Sequence, residues 1–150
     1  MKIEYHNLYT HFVFTTYERR PIIPQRSRNR IEKYVTGIVN NTGSRMYAIY
    51  ANAEHMHFIA SRNPSFSEDR LATIVAQSSE KFINDNNLSD CRFRWQQSAA
   101  AFSVSKSDVD RVCRYILNQP EHHKKTTFSE EYGQFNKHYQ NTLHRNKTDQ

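Results

Sequence analysis

The chain has 150 residues, 37% of them hydrophobic and 13% aromatic, and a formal net charge of +6. This length supports one domain with a real core, while the absence of any long apolar run argues against a membrane protein. Two cysteines, Cys91 and Cys113, are too few for a disulfide framework or a cysteine-built zinc site, and both read as reduced packing residues. The positive balance points to a polyanionic partner, most often nucleic acid. Met1 to His6 contains no signal-peptide apolar core, so the chain is expected in the cytoplasm.

Residues 7–15 are rich in β-branched and aromatic side chains and read as a strand. Its alternation puts Leu8, Thr10, Phe12 and Phe14 on one face and Tyr9, His11 and Val13 on the other. Residues 17–24 form a basic loop carrying Arg19 and Arg20. Residues 26–40 are predicted helical, with Ile31, Tyr34, Val35 and Ile38 on one side. Gly43 supplies the stop, because glycine tolerates a left-handed backbone. Residues 45–51 and 54–61 follow as two strands, joined closely enough for a hairpin.

Ser65-Phe66-Ser67-Glu68 fits a capping box for a helix running to about Asn86, its buried stripe being Leu71, Ile74, Val75, Ser78 and Phe82. Residues 93–97 read as a strand, continued by residues 101–104 after an irregular stretch. Ser105 caps a third helix whose apolar stripe is Val109, Val112, Cys113 and Ile116. Pro120 lacks a backbone donor and disfavours helix at the residue before it, so that helix is expected to end at Gln119. Thr127 with Glu130 starts a short last helix. One domain over residues 1–139 is expected, with a loose polar tail over 140–150. The order predicts an α+β fold, a ferredoxin-like antiparallel sheet with two helices on one face, plus C-terminal helices.

His55-Met56-His57 lies on the third strand. Residues two apart on a strand point the same way, so the two imidazoles share a face and can hold one metal ion. Both must be neutral to do so. A His-x-His pair is ordinary in a chain with eight histidines, and it needs a third ligand and a chemical partner to carry weight. Tyr115 and Gln119 supply these. They are four apart, the spacing that places side chains on one helix face. A tyrosine hydroxyl, with a pKa near 10, attacks poorly until a cation lowers the barrier at the phosphate. Two imidazoles and an amide oxygen leave coordination positions open, and Mg²⁺ or Mn²⁺ suits such a site.

These residues resemble the HUH single-tyrosine transposases, small transposases of insertion sequences that move as single-stranded DNA. Trp95-Gln96 with Ala101-Phe102-Ser103-Val104-Ser105, residues 115–125 and residues 127–132 resemble further segments of that family. The resemblance implies that Tyr115 attacks a single-stranded DNA phosphate to form a 5′-phosphotyrosine, with His55, His57 and Gln119 holding the divalent ion. It implies a homodimer with exchanged tyrosine helices, and recognition of subterminal hairpins near the element ends. Arg19, Arg20, Arg92, Arg94, Lys124 and Lys125 are the candidates for DNA contacts. His122 and His123 are candidates for a place near the scissile phosphate.

The chain departs from the family in two places. Ser98-Ala99-Ala100 stands where a glycine-tyrosine-glycine is usual, and Asn52-Ala53-Glu54 where methionine-proline-aspartate is usual. Neither removes a proposed catalytic group. A noncatalytic or domesticated hairpin-binding protein of the same fold is the alternative. A replication or plasmid-transfer nickase with the same chemistry is disfavoured by the short chain.

Overall fold

The structure, a computed structural model, describes residues 1–123 and 130. It divides into two compact units, Met1–Leu117 and Asn118–Gln150. The first unit holds β1 (Tyr9–Thr15), α1 (Arg28–Asn41), β2 (Arg45–Ala51), β3 (His55–Ser61), α2 (Glu68–Asp85), β4 (Ala100–Val104) and α3 (Val109–Leu117). The described part of the second unit is α4 (Gln119–His123) and its flanks. Among the described residues no helix is long and apolar enough to cross a membrane.

The four strands form one sheet in the order β2-β3-β1-β4, every neighbouring pair antiparallel. This is the predicted ferredoxin-like arrangement. β1 and β3 lie at the centre and are buried on both faces. Their alternation therefore sorts side chains between two interiors rather than between core and water. Phe12, Phe14, Met56, Phe58 and Ala60 face α1 and α2. There they meet Ile31, Val35 and Val39 of α1 and Leu71, Val75 and Ile83 of α2. The Phe12 and Phe58 rings stack at 4.9 Å. On the other face, Ala48, Ile59 and Val104 pack with Val109 and Ile116 of α3. The tyrosine helix thus covers much of the face that the sequence left open. At the edge strand, the backbone N–H of Ala51 donates to Glu32 Oε1 at 3.0 Å, and that of Met46 to Asn40 Oδ1 at 3.0 Å. Side chains of α1 thereby satisfy an edge that would otherwise expose donors.

Several elements differ from expectation. The cap of α2 is Ser67 itself, whose side chain accepts from the Arg70 backbone N–H at 3.1 Å. Its buried stripe is Leu71, Val75, Ser79 and Ile83, rotated from the predicted one. Ser79 earns its buried place by donating to the Val75 carbonyl and accepting from Trp95 Nε1 at 2.9 Å. Residues 93–97 are not a strand. A single bridge joins Thr16 to Trp95, and regular pairing resumes at Ala100. A 3-10 turn, Lys106–Asp108, precedes α3, so Ser105 does not cap that helix directly. Gly43 has φ of 80°, the left-handed conformation expected at the end of α1. The expected helix from Thr127 and the tail over 140–150 lie outside the described residues, apart from Glu130.

Phe58 is fully buried between β1 and the two helices. Phe58→Ala is expected to lower unfolding free energy by about 3–5 kcal/mol, measured by urea denaturation.

Candidate functional site

On β3 the period-two pleat turns Met56 and Phe58 into the core under α1 and α2. His55 and His57 project from the face that α3 covers. Their ring centroids are 5.0 Å apart. Both are buried, His55 at 0% exposure and His57 at 2%. Such burial is costly for polar rings unless their nitrogens find partners.

Three residues approach those nitrogens. His11 of β1, fully buried, lies diagonal to His57 in the register, two pairs along from the Val13–His57 match. Its Nε2 sits 2.9 Å from His57 Nδ1. Asn52, in the hairpin before β3, places its side-chain amide nitrogen 3.2 Å from His55 Nε2. Glu54 Oε1 lies 4.0 Å from His55 Nδ1. The tautomer of His55 is assigned with the Asn52 amide nitrogen turned toward Nε2. An amide N–H needs a lone pair on Nε2, which leaves the proton on Nδ1, facing the carboxylate. Asn52 and Glu54 come from the segment where the chain departs from the family pattern.

His11 was not singled out from the sequence. The signal was present: a polar residue on the alternation face away from Phe12, in a strand buried on both sides. Burial pushes its pKa well below the ordinary 6.5, and the neighbouring His57 adds to the shift. His11 is therefore neutral at physiological pH.

Tyr115 meets this group from α3. Its ring centroid is 5.8 Å from that of His57, nearly perpendicular at 87°, and 6.4 Å from that of His11. It is half-buried beside the Val109 and Ile116 stripe, as the spacing predicted. One chain thus brings three imidazoles and a phenol together. Gln119 is placed differently from expectation. α3 ends at Leu117, Asn118 is a turn, and Gln119 opens α4 in the second unit. Tyr115 and Gln119 do not share one continuous helix. Pro120 explains the difference: in the first turn of a helix its missing N–H needs no partner, so the chain starts a new helix rather than ending one.

The basic candidates fall in two groups. Arg19 and Arg20 are exposed in the turn after β1, where Glu18 and Arg19 both hold φ of 55°, unusual for residues with side chains. The backbone N–H of Tyr17 donates to the Arg94 carbonyl at 3.0 Å, and the Arg94 guanidinium lies 4.6 Å from the Tyr17 ring centroid. Arg92 and Arg94 are exposed and line a groove of about 890 Å³ along α2. Lys124 and Lys125 lie outside the described residues. His122 and His123 close α4. Residues 98–100 adopt no positive φ, so Ser98 and Ala100 at the glycine positions impose no strain there.

Among the described residues no group of three or more histidine, cysteine, aspartate or glutamate side chains is arranged to hold a metal ion. Gln119, the third ligand expected from the sequence, is a neutral amide and so is not among those residue types.

The family model described as transposase IS200 like matches residues 4–119, from before β1 to the start of α4. The chain belongs to the IS200-like transposase family. Two solved structures share its fold. One is a candidate transposase from Deinococcus radiodurans R1, 16% identical, covering 79% of this chain and 98% of its own, with a TM-score of 0.61. The other is a REP-associated tyrosine transposase bound to a REP hairpin, 14% identical, covering 82% of this chain and 74% of its own, with a TM-score of 0.59. No curated protein matches. At these identities the two structures speak for the fold, and the family match speaks for a transposase.

The depressed pKa of His11 has a stability consequence with a definite sign. The unfolded chain takes up a proton near pH 6.5, and the folded His11 resists until well below that. Its contribution is complete above pH 6.5 and is lost as pH falls below it. Urea midpoints measured from pH 7.5 down to 5 are expected to decline, and less steeply in His11→Gln.

Proposed function

We propose that the protein cleaves and rejoins single-stranded DNA at insertion-sequence ends. Tyr115 is the nucleophile, and His55, His57 and Gln119 hold a divalent ion, Mg²⁺ or Mn²⁺. The observation that carries this reading is the placement of the Tyr115 ring against His57 within one chain. The donor set fits such an ion. The N–H of Asn52 stands at the His55 Nε2 lone pair, where positive charge is accepted. Each histidine also has a partner beside its Nδ1, the arrangement that orients metal ligands. Gln119 is assigned as third ligand from its place in the family motif.

The phenolic oxygen of Tyr115 attacks phosphorus and loses its proton. The bond from phosphorus to the 3′-oxygen of the preceding nucleotide breaks, and that oxygen leaves as a 3′-hydroxyl. The phosphate stays on the 5′ side as a tyrosine ester. One phosphodiester replaces another, so no nucleotide hydrolysis is required, and attack by a second 3′-hydroxyl rejoins the strand. A divalent ion held by His55, His57 and Gln119 would neutralise phosphate charge and orient its oxygens. Burial of the site strengthens each such interaction. Arg19, Arg20, Arg92, Arg94, Lys124 and Lys125 are assigned to DNA backbone contacts, supported by the net charge and by the exposure of the four arginines. The hairpin bound by the REP-associated relative supports subterminal hairpins as the ligand. The meeting of Tyr115 and His57 in one chain favours attack in cis; a homodimer with exchanged helices would instead pair Tyr115 with the other chain's histidines.

With hairpin-bearing single-stranded element ends and Mn²⁺, a covalent protein–DNA adduct is expected on denaturing gels. Tyr115→Phe should give none, His57→Ala should slow its formation by about 100-fold or more, and EDTA should abolish it. Mixing Tyr115→Phe with His57→Ala chains separates the two arrangements, since only helix exchange restores the adduct. Salt-sensitive hairpin binding that ignores EDTA and yields no adduct would identify a noncatalytic binding protein instead.

A further inference from the structure

We infer that His11 is a positioning residue, accepting a hydrogen bond at its Nε2 from His57 Nδ1–H and so keeping the His57 Nε2 lone pair directed at the site. The use of that lone pair for a cation rests on the proposed function. The tautomer itself does not.

The geometry admits two arrangements. A bond between two neutral imidazoles needs one N–H and one lone pair across the 2.9 Å separation. If His11 donated, His57 would carry its proton on Nε2, and a metal site would face a donor where it needs an acceptor. If His57 donates, Nε2 is left with the lone pair that a ligand requires. His55 reaches the same state independently, its Nε2 facing the Asn52 amide and its Nδ1 facing Glu54. Both rings then offer the same nitrogen. Each has its acceptor on the Nδ1 side, a carboxylate for one ring and an imidazole for the other.

His11 is suited to the task. It is fully buried, with its Nε2 2.9 Å from His57 Nδ1. Antiparallel pairing of β1 with β3 fixes its distance from His57 through the backbone. The rings of Phe102, at 6.1 Å, and Tyr115, at 6.4 Å, border it. These rings hold the His11 imidazole in place beside His57. Placing an uncharged acceptor here also avoids a second negative charge next to a scissile phosphate, which a carboxylate would bring.

The test uses the full chain with ¹⁵N-labelled histidine. Long-range ¹H–¹⁵N spectra of the metal-free protein at pH 7.5, with His57 assigned through His57→Ala, are expected to show the His57 proton on Nδ1. Mn²⁺ binding is then followed by electron paramagnetic resonance. His11→Phe, which removes the acceptor, is expected to weaken binding by about 10- to 100-fold. His11→Gln, whose side-chain oxygen reaches the place of Nε2, is expected to retain most of the affinity and the same His57 tautomer. An Nε2–H tautomer of His57 in the wild type would overturn the inference, as would wild-type affinity in a folded His11→Phe. Should His11→Phe not fold, a changed His57 tautomer in His11→Gln overturns it. Failure of the wild type to bind Mn²⁺ counts against the metal reading alone, because the tautomer is read without metal.

Discussion

The structure depends on two central strands whose faces are both buried. In β1 and β3 the pleat does not separate core from water. It assigns each residue to one of two dry compartments, one beneath α1 and α2, the other beneath α3. Phe12, Phe14, Met56 and Phe58 fill the first with rings and a thioether. His11, His55 and His57 go to the second. A shift of one residue in either strand would exchange the contents, placing imidazoles among the phenylalanines. The phenylalanine-rich core therefore fixes the register that aligns the histidines. Stability and site geometry share one cause.

Burying three imidazoles is unfavourable unless their nitrogens are partnered, and the partners found here also orient the rings. The His11–His57 bond runs across the β1–β3 ladder, while Asn52 and Glu54 approach His55 from its own hairpin. A polar network in a low-dielectric interior is held firmly when satisfied. Tyr115 stands at its boundary, a half-buried residue whose ring packs against His57. The turn carrying Arg19 and Arg20 leaves the end of β1 a few residues from Thr15, the register partner of His55. Basic surface and buried site are therefore tied to the same strand.

Much of this was legible in advance where the signal was local and periodic. Alternation placed His55 and His57 on one face. Helical spacing placed Tyr115 beside the Val109 and Ile116 stripe, and Gly43 marked the end of α1. The misreadings share a different origin. Residues 93–97 have strand composition, but the chain bulges away between Trp95 and Ala100, and a bulge is set by the partner strand rather than by propensity. The cap of α2 fell on Ser67 rather than Ser65, a choice between two serines two residues apart. Ser79 entered the α2 stripe because Trp95, sixteen residues on, offered its indole N–H.

The sequence by itself determined the class of fold, the basic character, the paired histidines and the tyrosine's place beside the apolar stripe of its helix, and it pointed to the family through its motifs. These are properties of spacing along the chain, and spacing is what periodic backbones turn into direction. Tertiary structure alone decided that His11 belongs to the site, that Asn52 and Glu54 bracket His55, and that Tyr115 meets His57 within one chain. The His11 and Tyr115 contacts join residues from different strands and a distant helix. Their distances are set by strand register and by packing across a sheet, which no local pattern encodes.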